Sequence, residues 1–380
     1  MVEYNVTSTT LEPKTGWPVV DRLLGGYTEL ETLNGQVVAR CLVAIILCRF
    51  IAVWSYNLWF HPLARFPGPF LGRCSLLYRF IHSSRGRIHS AVADAHKKYG
   101  DIVRIAPNEL SFASVESWKA IYGHPTRGNE IAPKGPFYEV FAAGFNSKCV
   151  GSERNPEKHA LMRKMLNPAF SQRGLLEQEE IISGTIDKFV HVLGEKAGPG
   201  TKGLNMTKWY EMNSRLGIQK SRNDFNPDKL ERLTKEIRAA FKTFEEINAV
   251  KSQQIPYLQA VINEGLRLFP PASGGAPRVS PGFTLHDKYI PKGTEVNVSP
   301  WSITHNAKYF SDPWEFKPER WLDPNSKDIK DASRPFLLGP RDCLGRNFAL
   351  MELNLVLAKL LWSYDMELVN KEINFLEQST

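Results

Sequence analysis

Cysteine is scarce in this sequence and does not pair. Five occur in 380 residues, Cys41, Cys48, Cys74, Cys149 and Cys343, an odd count with no CxxC spacing. That argues against a disulfide framework or a zinc site and fits a reducing compartment. The chain also lacks a basic run interleaved with aromatics, so its net charge of +8 does not read as a nucleic-acid surface. A basic excess of this kind suits an anionic membrane surface or an acidic protein partner. No small-residue cleavage site follows the long apolar run near the N-terminus, so that run reads as a retained anchor and not a signal peptide. What is plentiful is apolar: 42% hydrophobic and 11% aromatic residues suit a large globular core.

Residues 1–36 read as a polar, turn-rich tail, with a sequon at Asn5-Val6-Thr7. Val37 to Phe60 is long enough to span a bilayer, although Arg40 and Arg49 interrupt it. Trp54, Tyr56 and Trp59 resemble an interfacial belt. Acidic residues prevail before the span, and Arg65, Arg73, Arg79, Arg85 and Arg87 follow it. The positive-inside rule then puts the tail in the lumen and the bulk of the chain in the cytosol. Residues 61–69 hold three prolines, Pro62, Pro67 and Pro69, and form a stiff non-helical hinge. Residues 70–380 make up the main domain.

Along that domain, Arg87–Tyr99 has the pattern of an amphipathic helix stopped by Gly100. Ile102–Pro107 and Leu110–Phe112 read as strands about an Asn108-Glu109 turn. Thr126–Gly151 is loop-like. Helical patterns follow over Pro156–Phe170, Leu175–Leu193, Asn205–Met212, from Asn226-Pro227 through Phe244, and over Pro256–Phe269 before Pro270-Pro271.

The stretch that carries chemistry is Phe336-Leu337-Leu338-Gly339-Pro340-Arg341-Asp342-Cys343-Leu344-Gly345-Arg346, followed by a helix apolar on nearly every side. A cysteine just ahead of a buried helix meets backbone N–H groups and the positive end of the dipole, both of which favour thiolate. Such a thiolate is a nucleophile or a metal ligand.

This run resembles the haem-binding loop of the cytochromes P450: Phe336, Gly339, Arg341, Cys343 and Gly345 meet each fixed position. The resemblance implies haem b with Cys343 as the axial thiolate, which favours O–O cleavage. It puts Arg341 on a propionate and Phe336 near the thiolate. Arg163, four residues after His159 on one helix face, matches a further propionate ligand, and His159 stands where Trp is usual. Arg278 matches another. Glu264 and Arg267 match a Glu-x-x-Arg pair, and Arg320 in Pro318-Glu319-Arg320-Trp321 completes a buried structural network that holds the cysteine loop. Phe137, Tyr138 and Phe141 fall where the family's substrate wall lies.

The fold implied is mainly α with small β-sheets, the cytochrome P450 fold on an N-terminal membrane anchor in the endoplasmic reticulum. The chemistry implied is hydroxylation of a hydrophobic terpenoid or polyketide with O2 and electrons from NADPH–cytochrome P450 reductase. It is incomplete in one respect. The central helix with its acid–alcohol pair has no counterpart, since Gly184-Thr185 and Gly293-Thr294 lack the context. The expectation is an internal deletion near 214–225 and a shortened C-terminus, with 37 residues after Cys343. No distal catalytic residue is identified. A haem-thiolate isomerase or dehydratase, or an impaired remnant, stands beside the monooxygenase.

Overall fold

The computed structural model describes residues 18–124, 131–144, 147–197, 201 and 226–366. The sequon at Asn5, the helical pattern over Asn205–Met212 and the C-terminal stretch from Glu372 lie outside the described residues. The chain divides into two units, Met1–His61 and Pro62–Thr380.

In the first unit, helix α1 runs Pro18–Ser55 and passes into a π-helical turn, Tyr56–Phe60. Within it, Gly35–Phe60 is long and apolar enough to cross a membrane. Its apolar side chains are exposed, Val38, Ile45, Ile51 and Phe60 among them. The helix starts at Pro18, inside the stretch expected to be turn-rich. Once a long apolar helix is nucleated, each residue added upstream gains a hydrogen bond, and this outweighs the roughly 1 kcal/mol penalty of each glycine at Gly25 and Gly26.

The second unit pairs a sheet region with a helical region. After short helices α2 (Phe70–Cys74) and α3 (Leu77–Ser84), α4 covers Ile88–Tyr99 and stops at Gly100, whose φ of +92° ends it cheaply. Strands β1 (Ile102–Ala106) and β2 (Glu109–Phe112) form an antiparallel pair. With β3 (Arg278–Val279) and β6 (Glu295–Val298) they build a four-stranded sheet in the order β1-β2-β6-β3, where β2 and β6 run parallel. Strands β4 (Phe283–Leu285) and β5 (Lys288–Ile290) make a separate hairpin. Helix α5 (Val115–Tyr122), capped by Ser114, packs Trp118 and Ile121 into the core beneath this sheet.

The helical region comprises α6 (Pro156–Leu166), α7 (Gln172–Leu176), α8 (Glu179–Lys196), α9 (Pro227–Ala240), α10 (Ala249–Gln253), α11 (Pro256–Leu268), α12 (Pro300–Thr304), α13 (Glu319–Leu322) and α14 (Arg346–Ser363). Helix α14 is the hub, with α8, α9, α10 and α11 around it. Its apolar residues therefore face every direction, and Met351, Leu353, Leu355, Val356, Leu357, Leu360 and Leu361 are all buried. The single pattern expected over 175–193 is two helices, because Ser171 caps α7 and the chain turns at Gln178 before α8. Within Thr126–Gly151, Pro136–Ala142 is a 3-10 turn.

Candidate functional site

The cysteine loop leaves the sheet region and enters the hub helix. Leu337 and Gly339 both take positive φ, +59° and +78°. Gly339 is required twice over: besides its φ, a Cβ there would stand 2.0 Å from the Tyr122 carbonyl oxygen. After the 3-10 turn Gly339–Arg341, the Cys343 N–H donates to the Phe336 carbonyl (2.9 Å), and the Cys343 carbonyl accepts from the Arg346 N–H at the start of α14 (3.4 Å). Phe336 thus acts through its carbonyl, while its ring faces the Arg346 guanidinium at 5.9 Å. Cys343 is a free, exposed thiol. Gly345 has an ordinary φ of −81°, and the only atom near a Cβ placed on it would be Cys343 Sγ at 4.0 Å. A cleft of about 320 Å³ lies on one side of the loop, lined by Arg163, Asn167, Phe170, Asp342, Cys343 and Arg346.

Two residues before the thiol, Arg341 is buried, and both Nη1 and Nη2 lack a hydrogen-bond partner. Burial, then the nearby Arg278, pulls its pKa down to about 10. Arg278 is also buried. Its Nη1 donates to the Tyr138 hydroxyl (2.8 Å) and the Pro277 carbonyl (3.1 Å), and its guanidinium stacks over the Tyr122 and Tyr138 rings at 5.0 and 5.2 Å. Lys134 donates to the carbonyls of Val150 (2.7 Å) and Gly151 (2.8 Å). Burial and the two arginines bring its pKa down to about 8. His159 is 4% exposed, and burial followed by the charges of Lys134, Arg341, Arg163 and Arg278 lowers its pKa to about 4, so it is neutral at pH 7. Buried positive charge concentrated this way, with unfilled donors, calls for an anion from outside the chain. Haem, which carries two propionate carboxylates beside the iron, fits both the bare Arg341 donors and the open space at Gly345.

The structure brings Arg341, Arg278 and His159 into one neighbourhood, and Cys343 lies two residues along the loop from Arg341. Arg163 lines the cleft with Cys343, with Nη1 on the Asp342 carbonyl and Nη2 on the Asp342 carboxylate, each at 2.6 Å, and Nε on Asn167 Oδ1 at 3.1 Å. Sequence reasoning missed Asp342 and Lys134 as members of this neighbourhood and assigned Tyr138 to a substrate wall. Asp342 was legible as an acid between Arg341 and Cys343, whereas nothing local marked Lys134. Of the three aromatics expected to line a substrate wall, Phe137 and Phe141 are exposed and Tyr138 is turned to Arg278.

Glu264, Arg267 and Arg320 form one buried network. Glu264 Oε1 accepts from Arg267 Nη2 (2.9 Å), Arg320 Nε (3.1 Å) and the Lys317 N–H (2.8 Å), while Oε2 accepts from Arg267 Nε (2.8 Å) and Trp321 Nε1 (2.9 Å). Arg267 Nη1 also donates to the Thr304 (2.7 Å) and Pro313 (2.8 Å) carbonyls, and Arg320 pairs with Asp328. Among the described residues, these partners lie on 304–328. The network therefore anchors the strap leading to the cysteine loop, one step upstream of the loop itself.

The family model for Cytochrome P450 matches residues 64–214 and 225–379. The chain is 76% identical to Cytochrome P450 monooxygenase BOT4 of Botryotinia fuckeliana, covering 100% of this chain and 95% of the relative. That alignment runs over 501 positions, against the 380 residues here. It is 41% identical to Cytochrome P450 monooxygenase ORF9 of Penicillium roqueforti, over 88% of this chain and 90% of the relative. It is 35% identical to Cytochrome P450 monooxygenase poxC of Penicillium oxalicum, over 85% of this chain and 87% of the relative. With an intact cysteine loop, a buried basic cluster behind it and matches over most of its length, the chain belongs to the cytochrome P450 family, among fungal monooxygenases.

Proposed function

We propose that this chain is a haem-thiolate hydroxylase of a hydrophobic secondary metabolite, a terpenoid or polyketide, served by NADPH–cytochrome P450 reductase at the endoplasmic reticulum membrane. The observation that carries this reading is the bare, buried guanidinium of Arg341, two residues from the exposed thiol of Cys343. Cys343 would hold the iron through its thiolate, and Arg341 and Arg278, with neutral His159 donating one N–H, would hold the propionates. Phe336, Gly339 and Gly345 shape the loop and leave room for a flat group. The span Gly35–Phe60 anchors the chain, with the main domain in the cytosol.

When bound, haem supplies reductive activation of O2 and insertion of one oxygen atom into a C–H bond, the other leaving as water. The chain's own residues hold the thiolate and orient the group. Among the described residues no side chain is identified for proton delivery on the distal side, which is worth roughly 10²–10⁴-fold in rate where it exists. A second reading rests on a specific observation. The two matched blocks are interrupted at 214–225, and the 76% identical relative spans 501 aligned positions. An internal deletion there supports a slow or impaired enzyme, active only when that segment is restored.

The test is the spectrum of the full-length chain, expressed with haem precursor, reduced and exposed to carbon monoxide. A red-shifted thiolate band is expected. Absence of haem, or the band of a neutral axial ligand, overturns the reading. Reductase- and O2-dependent turnover then separates hydroxylation from isomerisation or dehydration.

A further inference from the structure

We infer that the buried amide pair Gln259–Asn354 sets the rotational register of the hub helix, and through it the place of the Cys343 sulfur, with Lys359 as a second latch. This rests on the haem-thiolate reading for what the sulfur binds and adds what holds it in place. From Leu353 to Leu361 every residue of α14 is buried. Seven of the nine are apolar, and the two polar ones are Asn354, 0% exposed, and Lys359, 3% exposed. Asn354 Oδ1 accepts from Gln259 Nε2 on α11 (2.5 Å), and its Nδ2 donates back to the Leu350 carbonyl (2.7 Å). Lys359 Nζ donates to Ser183 Oγ on α8 (2.6 Å) and pairs with the Asp187 carboxylate. Five residues apart on one helix, the two side chains leave it about 140° from one another, toward different neighbours.

A helix that is apolar on one face has its rotation fixed by that face. Helix α14 has no such face, since turning it by one residue lays apolar side chains where apolar side chains lay before. Burial is non-directional and changes little under that turn. Hydrogen bonds are directional and would be lost: the Asn354 amide and the Lys359 ammonium would face apolar neighbours with nothing to meet them. A single buried asparagine fixes register in coiled coils by the same means. The register reaches the thiol because the helix starts three residues after it. The Cys343 carbonyl accepts from the Arg346 N–H (3.4 Å), and the Gly345 carbonyl from the Ala349 N–H (2.8 Å). A slip of one residue moves the helix start by about 1.5 Å along its axis, whereas a metal–ligand distance tolerates about 0.2 Å. Asn354 and Lys359 lie eleven and sixteen residues past Cys343, so they act through the helix, as positioning residues.

The full-length, detergent-solubilised chain tests this. In Gln259→Leu with Asn354→Leu both polar partners go at once and no bare group is left, so the urea midpoint of the haem-free protein should hold or rise. Alkylation of Cys343, followed on its own peptide by mass spectrometry, should run in a single phase in the unmodified chain. In the apolar pair it should split into two phases, with exposed Cys149 as the unchanged reference. Once haem is supplied, the thiolate–CO band should weaken at least about tenfold. The exchanged pair, Gln259→Asn with Asn354→Gln, keeps one long and one short amide and should restore both readouts. Lys359→Met serves if the apolar pair does not fold: Asp187, 40% exposed, stays in water, and the same split is expected. Single-phase alkylation in the apolar pair, or in Lys359→Met where that pair does not fold, overturns the inference. So does an exchanged pair no better than the apolar one, or a split that comes with a fallen urea midpoint, which is general loosening of the fold. A thiolate band absent from the unmodified chain would overturn the haem reading alone and leave the alkylation result standing.

Discussion

Arg267 lies fork to fork on Glu264, with Nε to Oε2 at 2.8 Å and Nη2 to Oε1 at 2.9 Å, three residues apart on α11 and both fully buried. The remaining lone pairs and donors find partners on 304–321, so neither charge is bare. Removing one member leaves the other uncompensated. Arg267→Ala or Glu264→Ala should destabilise the chain by about 3–5 kcal/mol. Urea unfolding of the detergent-solubilised protein reads it, and a loss below 1 kcal/mol would mean water reaches the network.

Arg341 should behave in the opposite sense. Arg341→Met keeps most of the stem volume and removes a buried charge with no partner. We expect the haem-free chain to gain about 1–3 kcal/mol, and haem affinity to fall at least about tenfold. Unfolding midpoints and haem transfer to an acceptor apoprotein measure the two effects. A destabilised haem-free Arg341→Met chain would show that the guanidinium has partners in solution.

The two loop glycines should differ. Gly339→Ala meets both a φ of +78° and the Tyr122 carbonyl, and should cost about 2–4 kcal/mol. Gly345→Ala, at φ −81° with only Cys343 Sγ within 4.0 Å, should leave the haem-free chain within about 0.5 kcal/mol of the original. Its effect should appear only on haem uptake. Equal destabilisation by both changes would contradict this geometry.

Acid should weaken the fold through its buried histidines, above the pH at which ordinary carboxylates titrate. His96 is buried with its pKa lowered to about 4, with Nδ1 donating to the Gly100 carbonyl and Nε2 accepting from Ser111, each at 2.8 Å. Burial lowers His305, stacked on Trp301, to about 3. The unfolded chain binds protons at these histidines from about pH 6.5 down, while the folded chain does not, so stability falls as pH drops through that window. Glu109 acts oppositely: burial raises it to about 7, which favours the fold as pH falls from 7 toward 4.5. The Arg79 ion pair at 2.5 Å is already part of that balance, and the buried histidines, His159 as well as His96 and His305, outweigh it. The unfolding midpoint should fall between pH 7 and pH 5, by roughly 2 kcal/mol per histidine. The slope should be shallower in His96→Gln. A midpoint that rises toward pH 5 would assign the balance to Glu109.

Much of this was legible in the residue order. The β1–β2 hairpin around Asn108, the stop at Gly100, α11 ended by Pro270-Pro271 and the buried hub after Cys343 follow from local signals: period, punctuation and capping. Those signals are short-range, and the same short range misread residues 18–36, where helix propagation from the apolar span overrode the turn residues.

What the sequence determined by itself is the chemistry at one point: a cysteine at fixed spacing from glycines and an arginine, ahead of an all-round apolar helix. Spacing along a chain is a local property, and residues 336–346 carry it alone. What each arginine meets was decided only by the tertiary structure. Arg163, Arg278, Lys134 and the adjacent pair Arg341 and Asp342 come from four places in the chain, and Arg163 and Arg278 take the acceptors that packing brings within about 3 Å while both Nη atoms of Arg341 are left without one. Hydrogen bonds reach no further than that, so their pattern exists only once α6, β3 and the cysteine loop have closed on one another.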